Sequence, residues 1–307
     1  PRASRRNTQE TGVSVSLFNQ EGTTVGKALQ EGSSILAQIT ENRRLESETL
    51  LARATGLSRT ALLTHPESLL SREETETFNR WLSKRASGYP LPYLTGSIEF
   101  YGLDFSLTSD VLIPRPETET LVDLALASRS RTIVDVGTGS GCIAVTLAVN
   151  LDQVQVYATD LSSSALSCAL DNSRRHDVSD RVHLIQSDLL SALRGPVDLI
   201  VSNPPYISRS EWESLPVSVR CHEPQIALDG GNDGLAVVRK LLQQTARLFE
   251  MRERESDPPS CRLLIEIGAT MGDSCSALAH SVLPTCKTRI HSDLAGRERV
   301  LEIIPGG

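Results

Sequence analysis

The sequence predicts an α/β protein: a doubly wound, mostly parallel sheet preceded by a small N-terminal helical domain and a β-hairpin connector. Three observations carry this. Strand-like and helix-like segments alternate from residue 114 onward, apolar residues recur at helical spacing between 25 and 88, and a stretch bearing proline and aromatic residues at 89–113 separates the two patterns. The expected divisions are a flexible N-terminus over 1–24, a helical domain over 25–88, the hairpin linker over 89–113 and the α/β domain over 114–307.

A chain of 307 residues suits two domains, or one with an appendage. With 39% hydrophobic residues, 20 Gly and 15 Pro, low-complexity, collagen-like and wholly disordered classes are excluded. No apolar run approaches the roughly 18 residues of a membrane helix. The net charge is −7 and unevenly spread: residues 1–109 carry 12 basic and 12 acidic side chains, residues 110–307 carry 19 and 26. Phosphate contacts supply most nucleic-acid affinity, so an acidic α/β domain argues against a direct nucleic-acid partner. Cysteines stand at 142, 168, 221, 261, 275 and 286 with no C-x-x-C, which points to neither a disulfide framework nor zinc, and to a reducing compartment. Residues 1–26 are polar, with Arg2, Arg5 and Arg6, and lack the apolar centre of a secretory signal. The expected location is the cytoplasm or an organelle matrix.

In the helical domain, Leu29, Ile35, Leu36 and Ile39 fall on one face, as do Leu50, Leu51 and Ala54. Ser71 and Glu74 form a capping-box pattern, opening a helix that presents Phe78, Trp81 and Leu82. Gly56-Leu57-Ser58 and His65-Pro66 mark joints. This domain holds no catalytic constellation, so substrate docking is its expected use. Tyr89, Tyr93 and Trp81 suit a docking surface or plain packing equally. Pro90 and Pro92 are expected to break any helix, and Ile98 to Leu107 reads as a hairpin around Gly102.

Strands are predicted at Thr132–Val136, Val154–Thr159, Val182–Gln186, Val197–Ser202, Arg262–Ile267, Lys287–His291 and Arg299–Ile304, with helices at 141–150, 162–175, 234–250 and 270–282. Ligands of such sheets sit beyond the carboxyl ends of the strands. The first strand runs into Asp135-Val136-Gly137-Thr138-Gly139-Ser140-Gly141, where glycines let the backbone turn tightly beside a ligand. The spacing is G-x-G-x-G and not the dinucleotide G-x-G-x-x-G. The second strand ends at Asp160, whose carboxylate can take both hydroxyls of a ribose, and the third leads to Asp188 and Leu189, a polar and an apolar group suited to an adenine. Each alone reads equally as a turn or a helix N-cap. Three in register favour a nucleoside pocket.

The fourth strand ends in Asn203-Pro204-Pro205-Tyr206. Residues before proline are held extended, and neither proline has an N–H. The segment therefore offers two acceptors, the Asn203 side-chain oxygen and the Pro204 carbonyl, beside the Tyr206 ring. That suits a planar NH2 group better than it suits a simple proline-rich turn. A nucleoside cofactor beside a held planar nitrogen is the layout of S-adenosylmethionine-dependent methylation of an amide or amino group.

These elements resemble the HemK family, the glutamine N5-methyltransferases of class 1 peptide chain release factors. The resemblance runs from Val25 to the C-terminus. It includes Pro92 to Gly96, Leu112 to Glu119, Asp135 to Gly141, Asn203 to Tyr206, Glu223-Pro224 with Ala227 to Gly231, Leu264 to Gly268, and Asp293 to Arg297. It implies a Rossmann-like class I methyltransferase sheet, S-adenosyl-L-methionine as cofactor, and transfer of a methyl group to the glutamine of a GGQ motif, in support of translation termination. By residue, it implies cofactor contacts from Gly137, Thr138, Gly139, Ser140, Gly141, Asp160, Asp188, Leu189 and Asn203. Substrate contacts are implied for Asn203, Pro204, Pro205 and Tyr206, with Asn203, Pro204 and Tyr206 catalytic. Pro116 in Pro114-Arg115-Pro116 favours the release-factor branch over enzymes acting on a ribosomal protein. The chain departs from the family at Leu189, where some members carry tryptophan, and at Cys221-His222, where an aromatic often precedes Glu-Pro.

His222-Glu223 does not complete H-E-x-x-H, because position 226 is Ile, so no metal is expected and loop packing explains the pair. A nucleic-acid adenine N6-methyltransferase shares N-P-P-Y but calls for a basic recognition region. A dehydrogenase calls for the third glycine one residue later. A non-catalytic binding scaffold does not call for intact Asn203 and Tyr206.

Overall fold

The computed structural model describes residues 22–252 and 261–306. The first 21 residues of the segment expected to be flexible lie outside that range. The chain divides into two compact units, with the boundary between Thr95 and Gly96.

The first unit is helical: α1 (Val25–Leu36), α2 (Arg43–Thr55), α3 (Arg59–Thr64), α4 (Arg72–Ala86) and α5 (Leu91–Thr95). Ser71 with Glu74 closes the capping box of α4 as the sequence predicts, and Thr24 and Ser58 cap α1 and α3, satisfying further orphan N–H groups. Leu36, Leu50, Leu51, Phe78 and Leu82 are fully buried together, and Trp81 packs against them. Ile39 lies past the end of α1 and is exposed. At Gly32 of α1 a Cβ would strike both Ser47 of α2 and, at 2.9 Å, the Phe78 ring of α4. Arg85 donates to both oxygens of Glu46, at 2.6 and 3.2 Å. Tyr89 and Tyr93 meet edge to face. The prolines at 90 and 92 do not prevent a helix. Pro92 is the second residue of α5, where a first-turn N–H has no helical partner to lose.

The second unit opens with the hairpin β1 (Ser97–Phe100) and β2 (Leu103–Ser106). It is part of this unit's core: Phe100 and Phe105 are buried among α/β side chains, and Asn172 Oδ1 accepts from Ser106 N–H at 2.7 Å. A 3-10 turn at Pro116–Thr118 leads into α6 (Glu119–Ala127), a helix the sequence pattern had not marked. Then follow β3 (Thr132–Val136), α7 (Cys142–Asn150), β4 (Gln155–Asp160), α8 (Ser163–Arg175), β5 (Val182–Gln186) and β6 (Leu199–Ser202). Short helices α9 (Arg209–Trp212) and α10 (Val217–His222) precede α11 (Ala236–Arg252), β7 (Arg262–Glu266), α12 (Gly272–Val282), β8 (Lys287–Ser292) and β9 (Glu298–Ile304).

The sheet order is β5-β4-β3-β6-β7-β9-β8, parallel except for β9. The sequential strands β3, β4 and β5 run outward to one side, and β6 returns beside β3. That reversal opens a crevice at the carboxyl ends of β3 and β6. One face is covered by α6, α7 and the hairpin, the other by α11 and α12. With seven of its nine residues buried, α7 is apolar all round, as an interior helix is. This is the doubly wound sheet the alternation predicted.

Candidate active site

The loop after β3 has positive φ at Gly137, Gly139 and Gly141, +75°, +56° and +79°. A side chain would be strained at each. At Gly141 it would also strike α8, with Ala169 Cβ only 2.9 Å away, whereas Gly137 and Gly139 face open space. Thr138 and Ser140 point inward and are buried. Thr138 Oγ1 donates to Asp135 Oδ2 at 2.7 Å, beneath the loop. Asp135 is fully buried, and burial pushes its carboxyl up to about 7 despite that bond.

Asp160 closes the loop from the next strand. Its Oδ2 accepts from Gly139 N–H and its Oδ1 from Ser162 N–H, both at 2.9 Å. Each oxygen keeps a free lone pair, which suits two vicinal hydroxyls. A cavity of about 230 Å³ lies in front of it, lined among others by Gly137, Gly139, Asp160, Asp188, Leu189 and Asn203. The three strand ends read from the sequence thus converge on one space. Thr138, Ser140 and Gly141 do not line it and instead build the turn. Leu161, Ile226 and Val237 add apolar wall, and Lys240 of α11 pairs with Asp188. Leu161 follows Asp160 and could have been read, but Ile226, Val237 and Lys240 lie too far along the chain for any local pattern to place them. The Asp188–Leu189 turn is braced from α11, where Gln244 Oε1 accepts from Leu190 N–H at 2.7 Å. Leu189 itself has φ +55°, backbone strain held in place at the cavity wall. One charged acceptor pair, apolar walls and glycine N–H groups fit an adenosyl group.

Asn203-Pro204-Pro205-Tyr206 lies beyond β6. A second cavity of about 280 Å³ is lined by these four residues with Leu112, Arg115, Leu215 and Leu228 among others. Asn203 and Pro205 border both cavities. Asn203 Nδ2 donates to Thr118 Oγ1 at 3.2 Å, so its Oδ1 is the end left for a ligand. Tyr206 is largely buried, which raises its phenol, with the nearby Glu266 charge acting the same way. The Ala227–Gly231 loop serves this segment. Ile207 N–H donates to Leu228 O at 3.0 Å and Gly230 N–H to Ile207 O at 2.9 Å, while Cβ atoms at Gly230 or Gly234 would strike the Tyr206 backbone within 3 Å. Arg115, unassigned from sequence, forms an ion pair with Glu223 at 2.6 Å, and Glu223 also accepts from Ile113 N–H. This supports loop packing for Glu223 and ties the proline-arginine-proline element to the cavity rim. Among the described residues no cluster of His, Cys, Asp and Glu could hold a metal, and no helix is long and apolar enough to cross a membrane.

Comparison with known proteins places these features. Residues 27–96 match the PrmC N-terminal domain and residues 116–245 the methyltransferase small domain. A release factor glutamine methyltransferase of Moorella thermoacetica is 43% identical over 264 residues, spanning 84% of this chain and 90% of that protein. Another, of Geobacter sulfurreducens, is 43% identical over 249 residues, spanning 80% and 84%. Among solved structures, the human Mettl16 catalytic domain aligns with a TM-score of 0.54 at 16% identity, over 74% of this chain and 81% of that one. A methyltransferase of Pyrococcus furiosus aligns at 0.50 and 16%, over 68% and 91%. At such identities these two speak for the class I methyltransferase fold alone. With two domain matches in order and relatives this close over most of its length, the chain belongs to the family of release factor glutamine methyltransferases.

Proposed function

We propose that this protein transfers a methyl group from S-adenosyl-L-methionine to the side-chain amide nitrogen of a glutamine in a class 1 peptide chain release factor. The observation that carries the reading is that Asn203 and Pro205 border two cavities, one fitted to a nucleoside and the other walled by prolines and Tyr206. Such a substrate is met in the cytoplasm or an organelle matrix, where free thiols stay reduced.

Bound in the first cavity, S-adenosylmethionine supplies an electrophilic methyl group. An amide nitrogen is a poor nucleophile because its lone pair is shared with the carbonyl, so the protein's task is to position it and stabilise the charge it gains. Asn203 Oδ1 and the Pro204 carbonyl each accept one N–H of the substrate amide. Both hold the amide more tightly as positive charge grows on its nitrogen, which lowers the barrier selectively. Tyr206 packs against the flat amide and fixes its plane. Asp160 takes the ribose hydroxyls, Leu189 contributes an apolar wall for the adenine, and Asp188 offers an acceptor at its edge. Proton loss from nitrogen follows transfer and goes to water, so no histidine is required beside Asn203. The helical unit, which contributes none of these groups, supplies protein docking.

The test offers the protein labelled methyl donor, purified release factor and total RNA together. Label on the release-factor glutamine is expected. Label in RNA, or in a ribosomal protein when ribosomes are added, overturns the substrate assignment.

A further inference from the structure

Behind Asn203 lies a buried polar pair that the methyl-transfer scheme does not use. Thr118, in the turn before α6, is 2% exposed, and Glu266, the last residue of β7, is 1% exposed. The Thr118 hydroxyl accepts from Asn203 Nδ2 at 3.2 Å, and the Glu266 carboxylate lies beside it, with its Oε2 lacking any hydrogen-bond partner. We propose that Thr118 and Glu266 are positioning residues that fix which way round the Asn203 carboxamide sits, so that its oxygen faces the substrate amide. This rests on the role given to Asn203 above.

The argument is one of hydrogen counting. A carboxamide has two ends of nearly equal shape, one an acceptor and one a double donor. Only the acceptor end can hold a substrate NH2, and shape alone does not choose between them. The choice comes from the neighbour. Thr118 has a single hydroxyl hydrogen, and an ionised carboxylate can only accept. Once Glu266 takes that hydrogen, Thr118 can only accept from Asn203, which turns Nδ2 inward and Oδ1 outward. Burial keeps water from serving as a substitute partner.

The same arrangement makes the orientation sensitive to a proton. A protonated Glu266 can donate to Thr118, which frees the hydroxyl hydrogen to seek Asn203 Oδ1. The carboxamide then reverses and meets the substrate NH2 donor to donor. Burial pushes Glu266 up to about 7, so this change falls in the neutral range. The groups facing it are Arg299 of β9 and Arg115, which favour the charged form, Glu117, which disfavours it, and Tyr206 and the Cys142 thiol of α7.

The experiment uses the full chain and intact release factor. It compares kcat and KM against pH for the parent, Thr118→Val, Thr118→Ser and Glu266→Gln, with cofactor affinity measured by calorimetry. Thr118→Val keeps the shape and removes the hydroxyl. It is expected to lower kcat by roughly tenfold to a hundredfold, the scale of a small misplacement of a reacting group, at unchanged cofactor affinity. Thr118→Ser should restore most of the turnover. A glutamine at 266 can donate as well as accept and does not titrate, so Glu266→Gln should lower kcat and remove the acid limb of the kcat profile near pH 7. Parental kcat in Thr118→Val overturns the proposal, as does an acid limb that persists in Glu266→Gln. So does a loss of cofactor affinity that matches the loss of kcat, since that marks a merely structural role. If Thr118→Val fails to fold, the Glu266→Gln profile decides. A parent that leaves the release factor unmethylated fails the functional reading itself, a separate result.

Discussion

Asp160 does two jobs with one carboxylate: its oxygens pin the Gly139 and Ser162 N–H groups and face the nucleoside cavity. A charged acceptor of this kind is worth roughly 1.5–3 kcal/mol, so Asp160→Ala should weaken S-adenosylmethionine binding about tenfold to a hundredfold. Calorimetry on the folded variant checks this, and unchanged affinity would remove the ribose assignment. Asn203→Ala should cut turnover by roughly a hundredfold or more while cofactor affinity holds, the scale seen when one preorganised electrostatic partner is lost. Asn203→Asp is more discriminating. It keeps an acceptor but cannot donate to Thr118 and adds a charge near Glu266, so methylation at the parental rate would contradict the role of the neutral amide. Asn203, Asp160 and Leu189 were legible in the sequence because each lies at, or within three residues of, the end of a strand that faces the ligand. Lys240, Thr118 and Glu266 were not legible as site residues, because they reach the site from α11, the turn before α6 and β7, and only the sheet order brings those together.

At the scale of elements, the glycine loop divides its work between conformation and contact. Gly137 and Gly141 both need positive φ, which costs a side chain roughly 1–2 kcal/mol, but only Gly141 is also closed off by Ala169. Gly141→Ala should therefore lower the denaturant midpoint more than Gly137→Ala at similar m-value, and equal losses would show that α8 can yield. Beneath the loop, Asp135 is held near 7 by burial, well above its ordinary range. A raised carboxyl pKa means that folding favours the protonated form. Its contribution is complete below the unfolded pKa of about 4 and is lost as pH rises through 7. Asp135→Asn should consequently gain thermal stability relative to the parent as pH rises across that window, and a difference independent of pH would refute it. The seven sheet strands were visible from the sequence as short β-branched runs. By contrast α5 and α6 were hidden: a proline stands in the first turn of α5, and Pro116 opens the turn that leads into α6, positions where proline costs a helix little.

For the whole molecule, the question is where the catalytic body begins. Sequence punctuation placed its start at Pro114, after a hairpin that read as linker. The hairpin carries Phe100 and Phe105, 2% and 0% exposed, into the same core as Leu121, Ile133 and Leu147, and a buried asparagine bond ties Ser106 to α8. An exposed connector and a core strand share the same alternation over four residues, so only tertiary packing separates them. Removing a buried phenylalanine costs about 3–5 kcal/mol, and a domain has only about 5–15 to lose. A chain beginning at Pro114 is therefore expected to unfold or aggregate, whereas one beginning at Gly96 keeps both cavities and should bind S-adenosylmethionine with parental affinity. That Gly96 chain should nonetheless lose methylation of intact release factor, because the docking surface assigned to the helical unit is gone. Calorimetry and methyl transfer on the two truncated chains separate these claims. Parental transfer by the Gly96 chain would end the docking role, and a stably folded Pro114 chain would return the hairpin to the status of a linker.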